Sequence, residues 1–200
     1  MKILAVTAHP RSDSLTANIT KRFTAGLSEG GHEYEIVDLY AEQFNPLVFP
    51  EDEADWDNPN KVYSEEVRRE MKRIEASDAL VYIFPVWWYS MPALMKGYID
   101  RVWNYGFAYG PKKLPVQKVS WIAMVGFPEE KYKKRDYDRM MEHHLNIGLA
   151  GYCGVKDSNV HFMYNTLGEF EDLAEKEKHF TGLLDEAYQL GASFGEENRA

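Results

Sequence analysis

Three stretches of the chain concentrate groups able to hold or react with a ligand. His9-Pro10-Arg11-Ser12-Asp13-Ser14-Leu15-Thr16 gathers hydroxyls and backbone N–H groups where an apolar run gives way to an amphipathic one. That is the make-up of an anion site at a helix N-terminus, and His9 and Arg11 add local positive potential. A phosphate would fit there; a plain helix cap by Ser12 or Asp13 is the alternative. The stretch carries neither the Gly-x-x-x-x-Gly-Lys of a Walker loop nor a dinucleotide glycine fingerprint, which disfavours adenylate-type phosphate transfer. Phe84-Pro85-Val86-Trp87-Trp88-Tyr89-Ser90-Met91-Pro92 sets three large aromatics in a row. Successive residues of an extended chain point opposite ways, so these three cannot all face one core. Flat aromatic walls beside a proline-fixed backbone suit a planar conjugated heterocycle, with core or interface packing as the alternative. The third stretch, Met124-Val125-Gly126-Phe127-Pro128, puts a glycine directly after an apolar run, where backbone can approach a ligand closely. Phe107-Ala108-Tyr109-Gly110 adds a further aromatic pair on an irregular segment.

The elements that must position these stretches follow from periodicity. Short β-branched apolar runs at residues 2–8, 34–39, 79–84, 119–125 and 157–163 alternate with amphipathic stretches, the pattern of βαβ units and a parallel sheet. Helices are expected at 15–27, 64–76, after Pro92 through Val102, through Leu149 after the charged segment 128–138, and at 171–194. Ile19, Phe23 and Leu27 mark the inner face of the first. Residues 41–60, rich in Asp, Glu, Asn and Pro, are too long for a simple connector and are expected to serve function or an interface. Five parallel strands with helices on both faces make a doubly wound α/β sheet, and ligands bind such sheets outside the carboxyl ends of the strands. The loops after the first, third and fourth strands are the three stretches above.

Composition narrows the ligand classes. The 200 residues, 44% hydrophobic with 9 Pro and 14 Gly, suit one globular domain over residues 1–200 with a substantial core. Lys+Arg 23 against Asp+Glu 32 gives a net charge of −9, so neither a nucleic-acid footprint nor an anionic-membrane patch is expected. A single cysteine, Cys153, forbids an internal disulfide and a cysteine-based zinc site. No apolar run approaches a membrane span or a signal stretch, and a cytoplasmic protein without a metal is expected.

The blocks His9–Thr16, Phe44-Asn45-Pro46, Phe84–Val102 and Gly106-Phe107-Ala108-Tyr109-Gly110, in this order and spacing, resemble the flavodoxin-like NAD(P)H:quinone oxidoreductases. That family includes bacterial NAD(P)H oxidoreductases and the ancillary oxidoreductases of potassium-efflux systems. The resemblance spans about three quarters of the chain and fades in the last helix. It implies a flavodoxin-like sheet of order 2-1-3-4-5 and a non-covalently bound FMN or FAD. It further implies reduction by NAD(P)H, reoxidation by a quinone-like acceptor in a ping-pong cycle, and a homodimer. Residue by residue, His9, Ser14, Leu15 and Thr16 match the phosphate loop. Pro85, Val86, Trp87, Trp88 and Tyr89 match the segment along the isoalloxazine edge, and Gly126 matches the glycine loop at the pyrimidine end. Tyr132 matches a catalytic-site tyrosine, and Tyr109 an aromatic that lines the substrate pocket from the partner subunit. Trp88 joins these two as a catalytic-site wall. The chain departs from the family in two places. Val125-Gly126-Phe127 lacks the usual threonine and second glycine, and Asp138 stands where some relatives carry a histidine.

Small size leans to FMN, whereas the 41–60 segment with Phe44-Asn45-Pro46 is similar to FAD-carrying members. Two other functions share these motifs: a flavodoxin-type electron carrier, disfavoured by the aromatic walls, and an ancillary regulatory subunit of a membrane transporter. A donor at the Tyr132 hydroxyl would make Tyr132→Phe slow flavin reduction by roughly ten- to a hundred-fold.

Overall fold

The computed structural model describes residues 1–168, 170 and 172–196. Five parallel strands, β1 (Lys2–Thr7), β2 (Glu33–Asp38), β3 (Ala79–Pro85), β4 (Lys118–Met124) and β5 (Asp157–Met163), form one sheet in the order β2-β1-β3-β4-β5. The expected doubly wound order is therefore observed, with strand ends within a residue or so of the apolar runs.

Alternation along the central strands sorts the core into two layers. Ile3, Val81, Ile83 and Ile122 face α1 (Leu15–Glu29) and α6 (Leu173–Ala192), packing on Ile19, Phe23 and Leu27. Leu4, Leu80, Tyr82 and Trp121 face the opposite way, toward α2 (Glu65–Glu75) and α3 (Ala93–Val102). Period-two burial of both faces is what near-continuous apolar strands require. Glu171, where the amphipathic pattern begins the last helix, lies outside the described residues.

The region after β4 departs from the expectation of one helix through Leu149. Pro128 caps a short α4 (Glu129–Lys133) with Glu129 and Glu130 in its first turn and a Lys133–Glu129 ion pair, all favourable to helix polarity. Asp136, left-handed at φ 53, breaks the path and α5 (Tyr137–Glu142) follows, continued by a π-helix His143–Gly151. Residues 41–60 contain only a short turn of 3-10 helix, Pro50–Asp52. A buried ion pair ties them down: Arg101 of α3 donates two hydrogen bonds to Asp52, which also accepts from the Ser64 amide and hydroxyl. No helix among the described residues is long and apolar enough to cross a membrane.

Candidate active site

Loop 1 ends at Ser14, which caps α1: its Oγ accepts from the Ala17 N–H at 3.2 Å. The cap is thus Ser14 rather than Ser12 or Asp13. The first-turn N–H groups of Leu15 and Thr16 have no intrahelical partner, which leaves an anion site open at this helix end. Ser14 and Thr16 themselves are buried. His9 folds back so that its Nδ1 accepts from the Arg11 N–H at 3.1 Å, and its ring lies 6.3 Å from that of Trp87. Loops 1 and 3 therefore adjoin. A cavity of about 260 Å³ lies along loop 1, lined by Thr7, His9, Arg11, Ser12, Thr20 and Asp38 among others.

Loop 3 begins as β3 ends at Pro85, and the Val86 N–H extends the pairing to the Met124 carbonyl at 2.8 Å. Trp87 and Ser90 then exchange backbone hydrogen bonds of 3.0 and 3.1 Å around Trp88 and Tyr89, which have φ 51 and 58. Two consecutive left-handed residues are the φ signature of a type I′ turn, where Asn and Gly are usual. Holding two bulky aromatics there costs about 1–2 kcal/mol each, strain of the kind found where a site must be shaped. The turn leaves the N–H groups of Trp88 and Tyr89 without a hydrogen-bond partner among the described residues. Trp88 is 94% exposed.

Both residues border a second cavity of about 260 Å³, lined by Val86, Trp88, Tyr89, Gly126, Tyr132 and Leu167 with Val125 and Phe127. The loop after β5 is tied to loop 4, for Asn165 N–H donates to the Phe127 carbonyl and Thr166 N–H to the Val125 carbonyl. A Cβ on residue 126 would come within 2.9 Å of the Leu167 Cδ1, so a side chain here would narrow the passage or displace the exposed Leu167.

Tyr132 contributes its ring to the wall but not an open hydroxyl. It is 1% exposed and its Oη sits 2.9 Å from Met141 Sδ. Burial, then the nearby Tyr89, Asp138 and Tyr137, push the phenol up to about 12, so it is neutral at ordinary pH. Tyr137 stacks on Tyr89 at 4.0 Å between centroids. Hydrogen bonding to Tyr137, followed by burial, raises the Tyr89 phenol. Asp138 is partly buried, and its Oδ1 has no hydrogen-bond partner among the described residues.

Tyr109 is not brought to this cavity. It joins Trp56, Tyr105 and Tyr152 in a separate aromatic cluster with centroids 5.0–6.0 Å apart. The remaining site candidates, His9, Ser14, Leu15, Thr16, Pro85, Val86, Trp87, Trp88, Tyr89, Gly126 and Tyr132, lie on or beside the three loops. Tyr137 and Leu167 escaped the sequence reading; the only signal for Tyr137 was an aromatic residue inside a charged segment. A planar ring with an anionic tail matches the geometry, the ring against the strained turn and Gly126, the tail at α1.

A family model described as a flavodoxin-like fold matches residues 1–185. The chain belongs to the flavodoxin-like family. It is 44% identical over 167 residues to the uncharacterized NAD(P)H oxidoreductase YcaK of Escherichia coli strain K12, covering 83% of this chain and 85% of that one. It is 31% identical over 184 residues to an uncharacterized NAD(P)H oxidoreductase of Haemophilus influenzae, covering 88% and 89%. Among solved structures, the NAD(P)H:quinone oxidoreductase from Methanothermobacter marburgensis superposes with a TM-score of 0.87 at 28% identity, over 100% of this chain and 98% of that one.

Proposed function

We propose that this flavodoxin-like protein is a flavin-dependent NAD(P)H oxidoreductase that reduces quinone-like acceptors. The observation that carries the reading is the strained Trp88–Tyr89 turn, whose two N–H groups are unpartnered among the described residues and whose residues line a cavity, on a loop that adjoins the one leading into α1. Residues present fit the cofactor: the α1 N-terminus at Leu15 and Thr16, beside His9, would hold the phosphate. The backbone of Pro85 to Tyr89 would hold the ring edge, and Gly126 leaves room for the pyrimidine end. The names of the relatives supply the nicotinamide and quinone chemistry.

A flavin held by these residues would supply two-electron redox chemistry between NAD(P)H and a quinone-like acceptor, with one pocket serving both half-reactions in turn. This chain supplies orientation and electrostatics. Donors aimed where charge develops contribute most, and the N–H groups of Trp88 and Tyr89 are fixed in advance by the turn. Trp88, Phe127 and Leu167 are exposed around the mouth, an apolar rim that a second copy of the chain would cover. The reading includes an FMN-loaded homodimer in the cytoplasm, with Tyr109 supplied to each pocket by the other subunit.

The test is purification in the absence of added cofactor, extraction and chromatography of bound flavin, and NADH or NADPH consumption with menadione. Bound flavin with menadione-dependent turnover is expected, and Ser14→Asp should empty the site by charge repulsion at the phosphate. Failure to bind FMN or FAD on reconstitution refutes the reading. Flavin retained without NAD(P)H oxidation refutes the enzyme and leaves an electron carrier or a transporter subunit.

A further inference from the structure

Away from the flavin cavity, one cleft gathers positive charge on a chain whose net charge is −9. It holds about 280 Å³ between α2 and the segments 59–63 and 105–112. Lys61, Arg68, Lys72 and Lys112 line it, against the single carboxylate of Glu75. None of the four cations has an ion-pair partner among the described residues, whereas Arg22, Arg69, Arg73, Arg101 and Lys133 are all paired. Arg68 and Lys72 stand four apart on α2, a like-charge pair that weakens a helix.

The cleft is also preshaped. Tyr63 and Tyr105 form aromatic walls, and the Tyr63 hydroxyl donates to the Tyr105 carbonyl at 2.7 Å. Gly106, at φ +77, lies so close to residue 59 that a Cβ would fall 2.0 Å from the Pro59 carbonyl oxygen, which locks the two segments together. Arg68 spends only its Nε, on the Tyr63 carbonyl at 3.0 Å, so the rest of its fork is free to donate. Lys61 is held by the Pro50 and Glu53 carbonyls at 3.3 and 2.7 Å, which fixes its charge without neutralising it.

We propose that this cleft binds a planar aromatic ring bearing a phosphate, such as a phosphorylated adenosine. The Arg68 fork and the lysines meet the phosphate, and the tyrosines meet the ring. The volume, near the lower end for small-molecule sites, admits one ring with its phosphate rather than a whole dinucleotide. Two sources carry this chemistry: a free nucleotide, or the adenosine end of the nicotinamide co-substrate, the latter resting on the function proposed above.

The test is calorimetric titration of the purified holoprotein with adenosine monophosphate, adenosine and inorganic phosphate. It is repeated on K72E/K112E and on K156E/K176E, which changes net charge equally at exposed lysines outside the cleft. Adenosine monophosphate is expected to bind more tightly than either fragment. K72E/K112E should weaken it by roughly tenfold or more, the loss of one charge-assisted hydrogen bond, with K156E/K176E unchanged. No binding, equal binding of a fragment, or equal loss in both double variants overturns the proposal. In steady state, a raised KM for NADPH at unchanged kcat in K72E/K112E assigns the dinucleotide; unchanged KM with lost nucleotide binding assigns the free ligand. Titration needs no turnover, so a protein that fails to oxidise NAD(P)H would refute the enzyme reading and leave the cleft standing.

Discussion

Arg101→Met measures how firmly residues 41–60 are held by one buried charge. The Arg101 side chain is 3% exposed and that of Asp52 is 0% exposed. Arg101 donates to Asp52 Oδ2 at 3.2 and 2.7 Å and also reaches the Asn45 carbonyl and Glu66. Its removal strands the Asp52 carboxylate without its cation, and breaking a buried pair from one side costs about 3–5 kcal/mol. Asp52 keeps the Ser64 amide and hydroxyl at 2.8 and 2.9 Å, and Glu66 is near enough to solvent to be rehydrated. Those two facts favour the lower end, about 3 kcal/mol, a large share of a typical stability of about 5–15 kcal/mol. Arg101→Met with Asp52→Asn removes both charges and should cost less than the single changes added together, by about 0.5–3 kcal/mol. The assay is urea unfolding followed by tryptophan fluorescence, with the slope unchanged. A loss below about 1 kcal/mol in Arg101→Met, or single losses that simply add, would refute the reasoning.

Burial pushes the Asp52 carboxyl up, but the hydrogen bonds from Arg101 and Ser64 outweigh it and hold it below its ordinary 3.8. Its contribution is therefore present above about pH 4 and lost as pH falls through the lower folded value; the urea midpoint of Asp52→Asn should change less than wild type on acidification, and parallel acid curves would sink this account. Trp88→Gly exchanges about 1–2 kcal/mol of left-handed strain for about 0.5–1 kcal/mol of unfolded-chain entropy. Stability should hold or rise while self-association weakens in sedimentation, and a loss above about 2 kcal/mol would show that the turn is not strained. Because the Tyr132 hydroxyl faces Met141, Tyr132→Phe should slow flavin reduction by less than about tenfold in stopped flow, and a hundredfold effect would place the hydroxyl at the reacting atoms.

The sheet was legible because its central strands are buried on both faces: runs such as residues 79–84 admit few other readings, and β5 falls on residues 157–163 as expected. Their carboxyl ends then located the three loops. What stayed hidden was set by tertiary partners rather than local pattern. The packing role of Phe44-Asn45-Pro46 is one case: the Asn45 carbonyl serves Arg101 and the Phe44 ring lies 5.2 Å beneath that guanidinium. Tyr137 reaches Tyr89 only because left-handed Asp136 separates two short helices, a backbone choice that no amphipathic period announces. The turn at Trp88 and Tyr89 contradicts residue preference outright, and such conflicts between local rule and structure gather at functional sites.

Within one chain the aromatic candidates fall into two groups that share no ring contact. Trp88, Tyr89 and Tyr132 border the cavity, while Tyr109 packs with Trp56, Tyr105 and Tyr152. Trp56 and Tyr152 are exposed, as are Trp88, Phe127 and Leu167 around the mouth. Two separate exposed apolar surfaces on one chain are costly to leave wet, and in the homodimer proposed above a two-fold contact would set the Tyr109 cluster of each copy against the Trp88 rim of the other. That arrangement would give Tyr109, which packs away from the cavity of its own chain, a place at the cavity of the other. Residues 41–60, which carry Trp56, are bolted to α3 through Arg101, and a wall held rigid in this way would lower the ordering cost of such a contact.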